Sequence, residues 1–394
     1  MATSVCTTTS HELPPEVIED VLGYVRDDKG SLLACTVVNS AFLGASRIHL
    51  FHSVTLDVRR NPDKLREFSK WLDTVPYTTR YIRALEVGQA SLSCGADYTP
   101  IALGELLEVL DKLPVLQDLR LSDVCWNSNK STDSTAVAAR YPNIKRLEYC
   151  MAYRRNHSSC SYLFDLIPHF PSVQTLYVTG GSFPLTSMHQ CSIPFTPELE
   201  DLTFDFMNST YLLQSLLPSS SAVHLKSLSV ATGPLKDVLQ LVACASNIST
   251  LTELRVRLGY HDYTLRDPEL LLAELNRFPC NALSVLTLEV PRFATGLFRH
   301  AFGILAHLIA PNLSVVTMLT AELSYSLCSV DWSGWEKALA KFPHLRKVSF
   351  LVPELGHRSS NSDFPRDGQR VIRQHLPELD EKGFLNFVAV GDGT

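Results

Sequence analysis

The chain has 394 residues and a formal net charge of −6, with 45% hydrophobic and 19% charged residues. That much apolar surface, carried in part by 18 Phe, 13 Tyr and 4 Trp, supports an ordered core and excludes disorder over most of the chain. The 41 acidic residues outnumber 35 basic ones and no basic run exceeds the pairs Arg59-Arg60 and Arg154-Arg155, so the electrostatic footprint of a nucleic-acid binder is missing.

The opening stretch MATSVCTTTSHELPPEV has neither a basic start nor an apolar core segment, and the longest apolar run, near 301–310, is about half a membrane span. A soluble, intracellular protein, cytoplasmic and/or nuclear and without a membrane partner, is expected. The ten cysteines are scattered with no CxxC pair, which fits reduced, mostly buried thiols better than a disulfide framework or a zinc ribbon. Five glycosylation sequons, at Asn129, Asn156, Asn208, Asn247 and Asn312, read as chance in a sequence rich in Ser and Thr.

Residues 13–42 predict two or three short helices. Pro15 suits a first helical turn, and Glu16, Glu19 and Asp20 suit the positive helix end. Val17, Ile18, Val21, Leu22 and Val25 make one apolar face that stops before the polar run Arg26 to Gly30, and a second apolar helix runs from Ser31 through Leu32, Leu33, Cys35, Val37 and Val38. So small a module cannot bury much core alone, so its remaining apolar surface implies a partner or docking on the next segment. Leu13, Pro14, Glu16, Val17 and Ile18, the aliphatics Val21, Leu22 and Val25, the pair Leu32-Leu33, and Val38 together resemble an F-box, with two extra residues in the first loop. Two positions depart from it: Asn39 stands where Cys is usual and Phe42 where Trp is usual. Phe42 preserves the aromatic filling, whereas Asn39 adds polar groups that need partners.

Beyond residue 50 one pattern recurs: an apolar helical stretch, often a proline, then L-x-x-L-x-L with aliphatic or aromatic substitutes. Nine clear copies have first anchors at Leu116, Ile144, Val173, Leu199, Leu225, Leu251, Leu283, Leu313 and Leu345, spaced 26 to 32 residues apart. Two looser copies, FHSVTL at 51–56 and YIRALEV at 81–87, precede them. The last two apolar positions of each copy are two apart and share one face of a short strand. The stretches before them, such as IALGELLEVLDKL, LKDVLQLVACA and PELLLAELNRF, carry helical spacing instead. Strand and helix in each unit could build a doubly wound sheet or a solenoid, and nine copies of one motif favour the solenoid.

These units resemble leucine-rich repeats over roughly residues 50 to 353. Where that family usually places Asn or Cys eight residues past the first anchor, this chain has Val124, Ala152, Gly181, Met207, Gly233, Gly259, Pro291, Ala321 and Pro353. Gly and Pro are expected to end strands by turn chemistry, and the array to be irregular. The fold expected is therefore α/β: a short helical F-box at 11–50, then an irregular leucine-rich-repeat-like solenoid with a parallel sheet at 51–390. A helix and strand, VIRQHLPEL and FLNFVAV, would cap it after about residue 354.

Together the two parts resemble an F-box and leucine-rich-repeat protein of the fungal type. The resemblance implies the substrate receptor of a Skp-cullin-F-box ubiquitin ligase, non-catalytic and without a cofactor. Carried over residue by residue, Leu13, Pro14, Val17, Ile18, Leu22, Leu32, Leu33 and Val38 would meet the Skp adaptor, and through it a cullin-RING ligase. The alternative is that these side chains only cap the first strand, as terminal repeats require. An interaction scaffold without a ubiquitin-ligase role is the rival function.

Signatures of catalysis are weak. No G-x-S-x-G elbow, P-loop, HExxH or G-x-G-x-x-G occurs. Cys150, His157 and Cys160, with His189 and Cys191 one repeat later, have loose metal-like spacing but no paired anchor, and read as loop histidines and strand-end thiols. Gly180-Gly181 reads as a turn after a strand. Trp332 and Trp335 read as half-buried residues at a helix start that Asp331 or Ser333 could cap. An unknown target protein would meet the strand face, where Arg120, Glu148, Tyr177, Asp205, Glu253, Arg255, Arg257 and Glu289 carry specific chemistry of mixed sign. The longer polar loops at 122–135, 182–197, 259–268 and 355–369 are further contact candidates.

Overall fold

A computed structural model describes residues 13–58, 61, 63–88, 101–122, 124, 141–150, 166–182, 198–207, 224–232, 235–259, 272–290, 295–320, 330, 332, 334–353 and 364–390. The chain divides into two compact units, Met1–Asp133 and Ser134–Thr394. Both are α/β, and every described strand pairing is parallel. The helices of residues 13–51 share the first unit with three strands.

The first unit opens with α1 (Pro15–Tyr24), α2 (Lys29–Cys35) and α3 (Ser40–Phe51), followed by β1 (Ser53–Asp57), α4 (Lys64–Thr74), β2 (Ala84–Gly88), α5 (Leu103–Asp111) and β3 (Asp118–Ser122). Proline starts α1 as expected, with the Pro14 carbonyl accepting from Val17 at 3.0 Å and Ile18 at 3.2 Å. Asp28 caps α2, its carboxylate accepting from the Gly30 and Ser31 amides and from the Ser31 hydroxyl at 2.6 Å; those bonds, the hydroxyl first, hold its pKa below the usual value. The polar group that Asn39 introduces finds its partner in the same way, for its side-chain oxygen accepts from the Phe42 amide at 2.9 Å and caps α3.

α3 packs on both α1 and α2 around Ile18, Leu22, Leu32 and Ala45, with Val25, Cys35, Phe42 and Leu50 closing the cluster. Downstream, Leu85 pairs with Leu119 and Val87 with Leu121, all four buried. Gly88 is required at its strand end because a Cβ there would collide with the Ser122 backbone. On the helical side Ser69 of α4 donates to Glu108 of α5 at 2.7 Å, and Lys112 Nζ reaches Asp73 at 2.7 Å.

The second unit holds β4 (Arg146–Cys150), β5 (Thr175–Ser182), β6 (Asp201–Met207), β7 (Ser227–Thr232), α6 (Leu235–Ser246), β8 (Glu253–Leu258), β9 (Val285–Val290), α7 (Thr295–His307), β10 (Val315–Thr320), α8 (Trp335–Ala340), β11 (Lys347–Pro353), α9 (Phe364–His375), α10 (Pro377–Glu381) and β12 (Leu385–Val390). Strand neighbours follow chain order from β4 to β12, without the reversal of a doubly wound sheet. All nine first anchors are buried across the two units. Behind the sheet one inward row runs Leu147, Leu176, Leu202, Leu228, Leu254, Leu286, Val316, Val348, and a second runs Tyr149, Val178, Phe204, Val230, Val256, Leu288, Met318, Phe350.

Register is held by a repeated backbone device. The carbonyl before each strand accepts from two successive amides of the next repeat: Lys145 from Gln174 and Thr175, Gln174 from Glu200 and Asp201, Glu200 from Lys226 and Ser227, and so on to Ser314 with Arg346 and Lys347. Each repeat is thus tied to the next at the strand entrance, by peptide groups that no side chain has to supply.

Several expectations are corrected here. Gly181 does not end its strand: Gly180, at φ 76°, lets β5 bulge between Thr179 and Ser182 and continue. Pro353 does end β11, and Gly259 lies just past β8. The region 355–369 is not loop throughout, since α9 starts at Phe364. Of PELLLAELNRF, Leu272 and Ala273 are helical and Glu274–Arg277 form a 3-10 turn, while the residues before them lie outside the described residues. Gly334 precedes α8, where a Cβ would strike the Phe302 ring, and offers no side-chain cap; Asp331 and Ser333 lie outside the described residues.

Candidate functional site

Burial splits the apolar surface of the helical module in two. Ile18, Leu22 and Leu32 are its core, fully enclosed by the three helices. Leu13, Pro14, Val17, Leu33 and Val38 are exposed. The single apolar face expected on α1 is therefore two flanks, because Ile18, Leu22 and Val25 turn toward α3 while Val17 and Val21 turn away. Three of the residues expected at the adaptor, Ile18, Leu22 and Leu32, are interior in this structure, and Val21, Tyr24 and Val37, not in that expected set, are exposed, Tyr24 at 92% and Val37 at 84%. Their signal was the spacing Leu13, Val17, Val21, Tyr24, which keeps to one side of a helix.

The second unit carries a trough of about 350 Å³ on the outward face of its strands. Ser227, Ser229 and Ala231 of β7 form its floor, and short side chains there leave the space that taller neighbours enclose. Tyr177 of β5 stands on one side, and Arg255 and Arg257 of β8 on the other. Six of the eight strand-face residues singled out from the sequence line it: Tyr177, Asp205, Glu253, Arg255, Arg257 and Glu289. Glu148, on β4, pairs in register with Tyr177, accepts from the Cys150 thiol at 3.7 Å and lies 3.8 Å from the Arg146 guanidinium. Arg120 belongs to the first unit, where its Nε lies 3.6 Å from Glu86.

An ion network closes one end of the trough. Arg257 donates from Nε to Glu289 Oε1 at 2.6 Å and from Nη1 to Asp205, reaching over the Ala231 position of β7. Arg255 donates from Nη2 to Glu289 Oε2 at 3.1 Å. Burial works against the charge on Arg257, but Glu289 and Asp205 outweigh it and raise the guanidinium pKa further. Burial also raises the Tyr177 pKa, reinforced by the Asp205 carboxylate. The phenol therefore stays protonated, a hydroxyl donor at the trough wall. The lining residues Thr203, Ser227, Ser229 and Thr287 were not singled out from the sequence, yet they occupy the same outward positions as the charged residues.

Other candidate features resolve structurally. Trp332 and Trp335 are buried, with ring centroids 5.3 Å apart, and Trp332 stacks on His375; they are more deeply enclosed than expected. Of the loose metal-like cluster only Cys150 is described; His157, Cys160, His189 and Cys191 lie outside the described residues. Among the described residues no three His, Cys, Asp or Glu side chains gather as metal ligands, and no helix is long and apolar enough to cross a membrane. No protein-family model matches the chain, and no curated protein matches it.

Proposed function

We propose that the protein is a non-catalytic substrate receptor of a Skp-cullin-F-box ubiquitin ligase. The observation that carries this reading is the row Leu13, Val17, Val21, Tyr24 with Leu33, Val37 and Val38, exposed on a module whose interior is already filled by other side chains. Exposed apolar rows of this kind on α1 and α2 call for a protein partner. The F-box resemblance supplies the partner's identity, the Skp adaptor, with Ile18, Leu22 and Leu32 acting as the scaffold under the contact surface instead of as contacts.

The repeats form a leucine-rich-repeat-like solenoid that holds a target protein on its outward strand face. Inward rows of aliphatic residues at L-x-x-L-x-L positions, strands in chain order and uniform parallel pairing support that reading. Co-expression with the Skp adaptor followed by size-exclusion chromatography tests it, comparing wild type with Val17→Asp. Co-elution of the wild type, lost in the variant, is the expected result. Absence of a wild-type complex would remove the ubiquitin-ligase assignment.

A further inference from the structure

We infer that the trough over β7 takes an extended protein segment bearing a lysine or arginine, whose cationic side chain seats over Ser227 between Asp201 and Glu253. This rests on the reading of the strand face as a target-binding surface and names the chemistry that surface selects.

Register places Asp201, Ser227 and Glu253 side by side on β6, β7 and β8. At a strand spacing of about 4.8 Å, the two acidic backbones stand about 10 Å apart across a serine too short to separate their carboxylates. Neither carboxylate has a cation within ion-pair reach among the described residues; Asp201 accepts only a long bond from the Thr175 hydroxyl at 3.4 Å. The neighbouring Lys226 is held elsewhere, by Glu200 at 2.8 Å.

Every cation in the trough, by contrast, is already committed. Arg257 is shared between Asp205 and Glu289, and Arg255 pairs with Glu289. The lining carries Asp205, Glu253 and Glu289 against Arg255 and Arg257, a net negative charge whose unpaired member is Glu253; Asp201 adds a second unpaired carboxylate beside Ser227, next to that lining. A cationic side chain is complementary to that distribution, whereas an acidic one would meet Asp201 and Glu253 with nothing to offset them.

Shape limits the occupant further. From Ser227 to Ala231 the floor is about 13 Å long, and the Arg257–Asp205 bridge blocks its far end. That admits about four extended residues. The floor offers the hydroxyls of Ser227 and Ser229 beside the short Ala231 side chain, so small or polar residues should follow the cation.

The test uses fluorescently labelled nine-residue Gly/Ser peptides with lysine, arginine, norleucine or glutamate at the centre, titrated into the full chain by fluorescence polarisation. Lysine and arginine peptides should bind at least about tenfold more tightly than the norleucine isostere, with the gap narrowing as salt rises. The double variant Asp201→Asn, Glu253→Gln should remove that advantage, and Glu253→Lys should turn the preference toward the glutamate peptide; melting curves verify that both variants fold. Equal binding of all peptides, a preference for glutamate in the wild type, no binding by any peptide, or a double variant that still prefers lysine would overturn the inference. Adaptor co-elution of the same preparation separates the two readings. A chain that binds the adaptor but shows no cation preference sinks only this inference, and one that prefers the cation but never binds the adaptor sinks only the receptor assignment.

Discussion

Val17 and Ile18 are adjacent on α1, about a third of a turn apart, yet Val17 is 42% exposed and Ile18 2%. Ile18→Asp therefore places an unpaired charge inside the Ile18–Leu22–Leu32–Ala45 cluster, a cost of several kcal/mol, and should melt the helical module. Val17→Asp changes only the surface and should leave the fold intact while removing adaptor binding. Circular dichroism melts beside gel filtration of both variants separate these effects; an Ile18→Asp protein that melts like the wild type would show that the cluster does not hold the module.

Leu176 sits in the inward row between Leu147 and Leu202. Leu176→Ala should destabilise the second unit by about 2–5 kcal/mol through lost burial and a residual cavity, and Leu176→Asp should unfold the repeats around it. Urea titration followed by tryptophan fluorescence and proteolysis reads both effects.

Arg257 joins β6, β8 and β9 through Asp205 and Glu289. Arg257→Met leaves two carboxylates facing each other without their shared cation, so it should destabilise the second unit by about 1–3 kcal/mol. Adding Asp205→Asn and Glu289→Gln to that variant should restore part of the loss. A thermodynamic cycle measured by chemical denaturation gives the coupling, and additivity of the changes would show that the network contributes nothing.

The α4–α5 contact should be pH-sensitive at both extremes. The Ser69 hydroxyl and Lys112 lower the Glu108 pKa below its ordinary 4.5, so the stability this carboxylate adds is complete above that value and lost as pH falls through the depressed one. Asp73 and Glu108 raise the Lys112 pKa above 10.5, so its contribution is complete below that value and lost as pH rises through the raised one. Glu108 is exposed and Lys112 only partly covered, so the effect is small. Hydrogen exchange of α4 and α5 at acid, neutral and alkaline pH should find them most protected near neutrality, and Glu108→Gln should flatten the acid limb.

Much of this protein is legible locally. Period-two spacing named the inward rows and period-3.6 spacing named α1, α5 and α6, because both patterns arise from backbone geometry within a few residues. The anchors Leu116 to Leu345 were all found and all are buried. The outward positions that carry the trough were legible for the same reason: residues between two inward leucines must point out. Strand limits were less so, since the bulge at Gly180 replaced a turn with two more strand residues.

Tertiary structure decided the rest. Composition cannot tell Leu22 from Val21 on α1; which flank is covered depends on where α2 and α3 pack, a contact between distant segments. Nor can sequence join Arg257 to Asp205, separated by 52 positions, without the register that lays β6, β7 and β8 side by side. The amino-acid sequence by itself determined which residues turn inward along each strand, because side-chain alternation is a property of the backbone. Only the packing of distant segments decided which apolar residues of the helical module stay exposed and which charges already have partners, because burial and ion pairing are properties of neighbours.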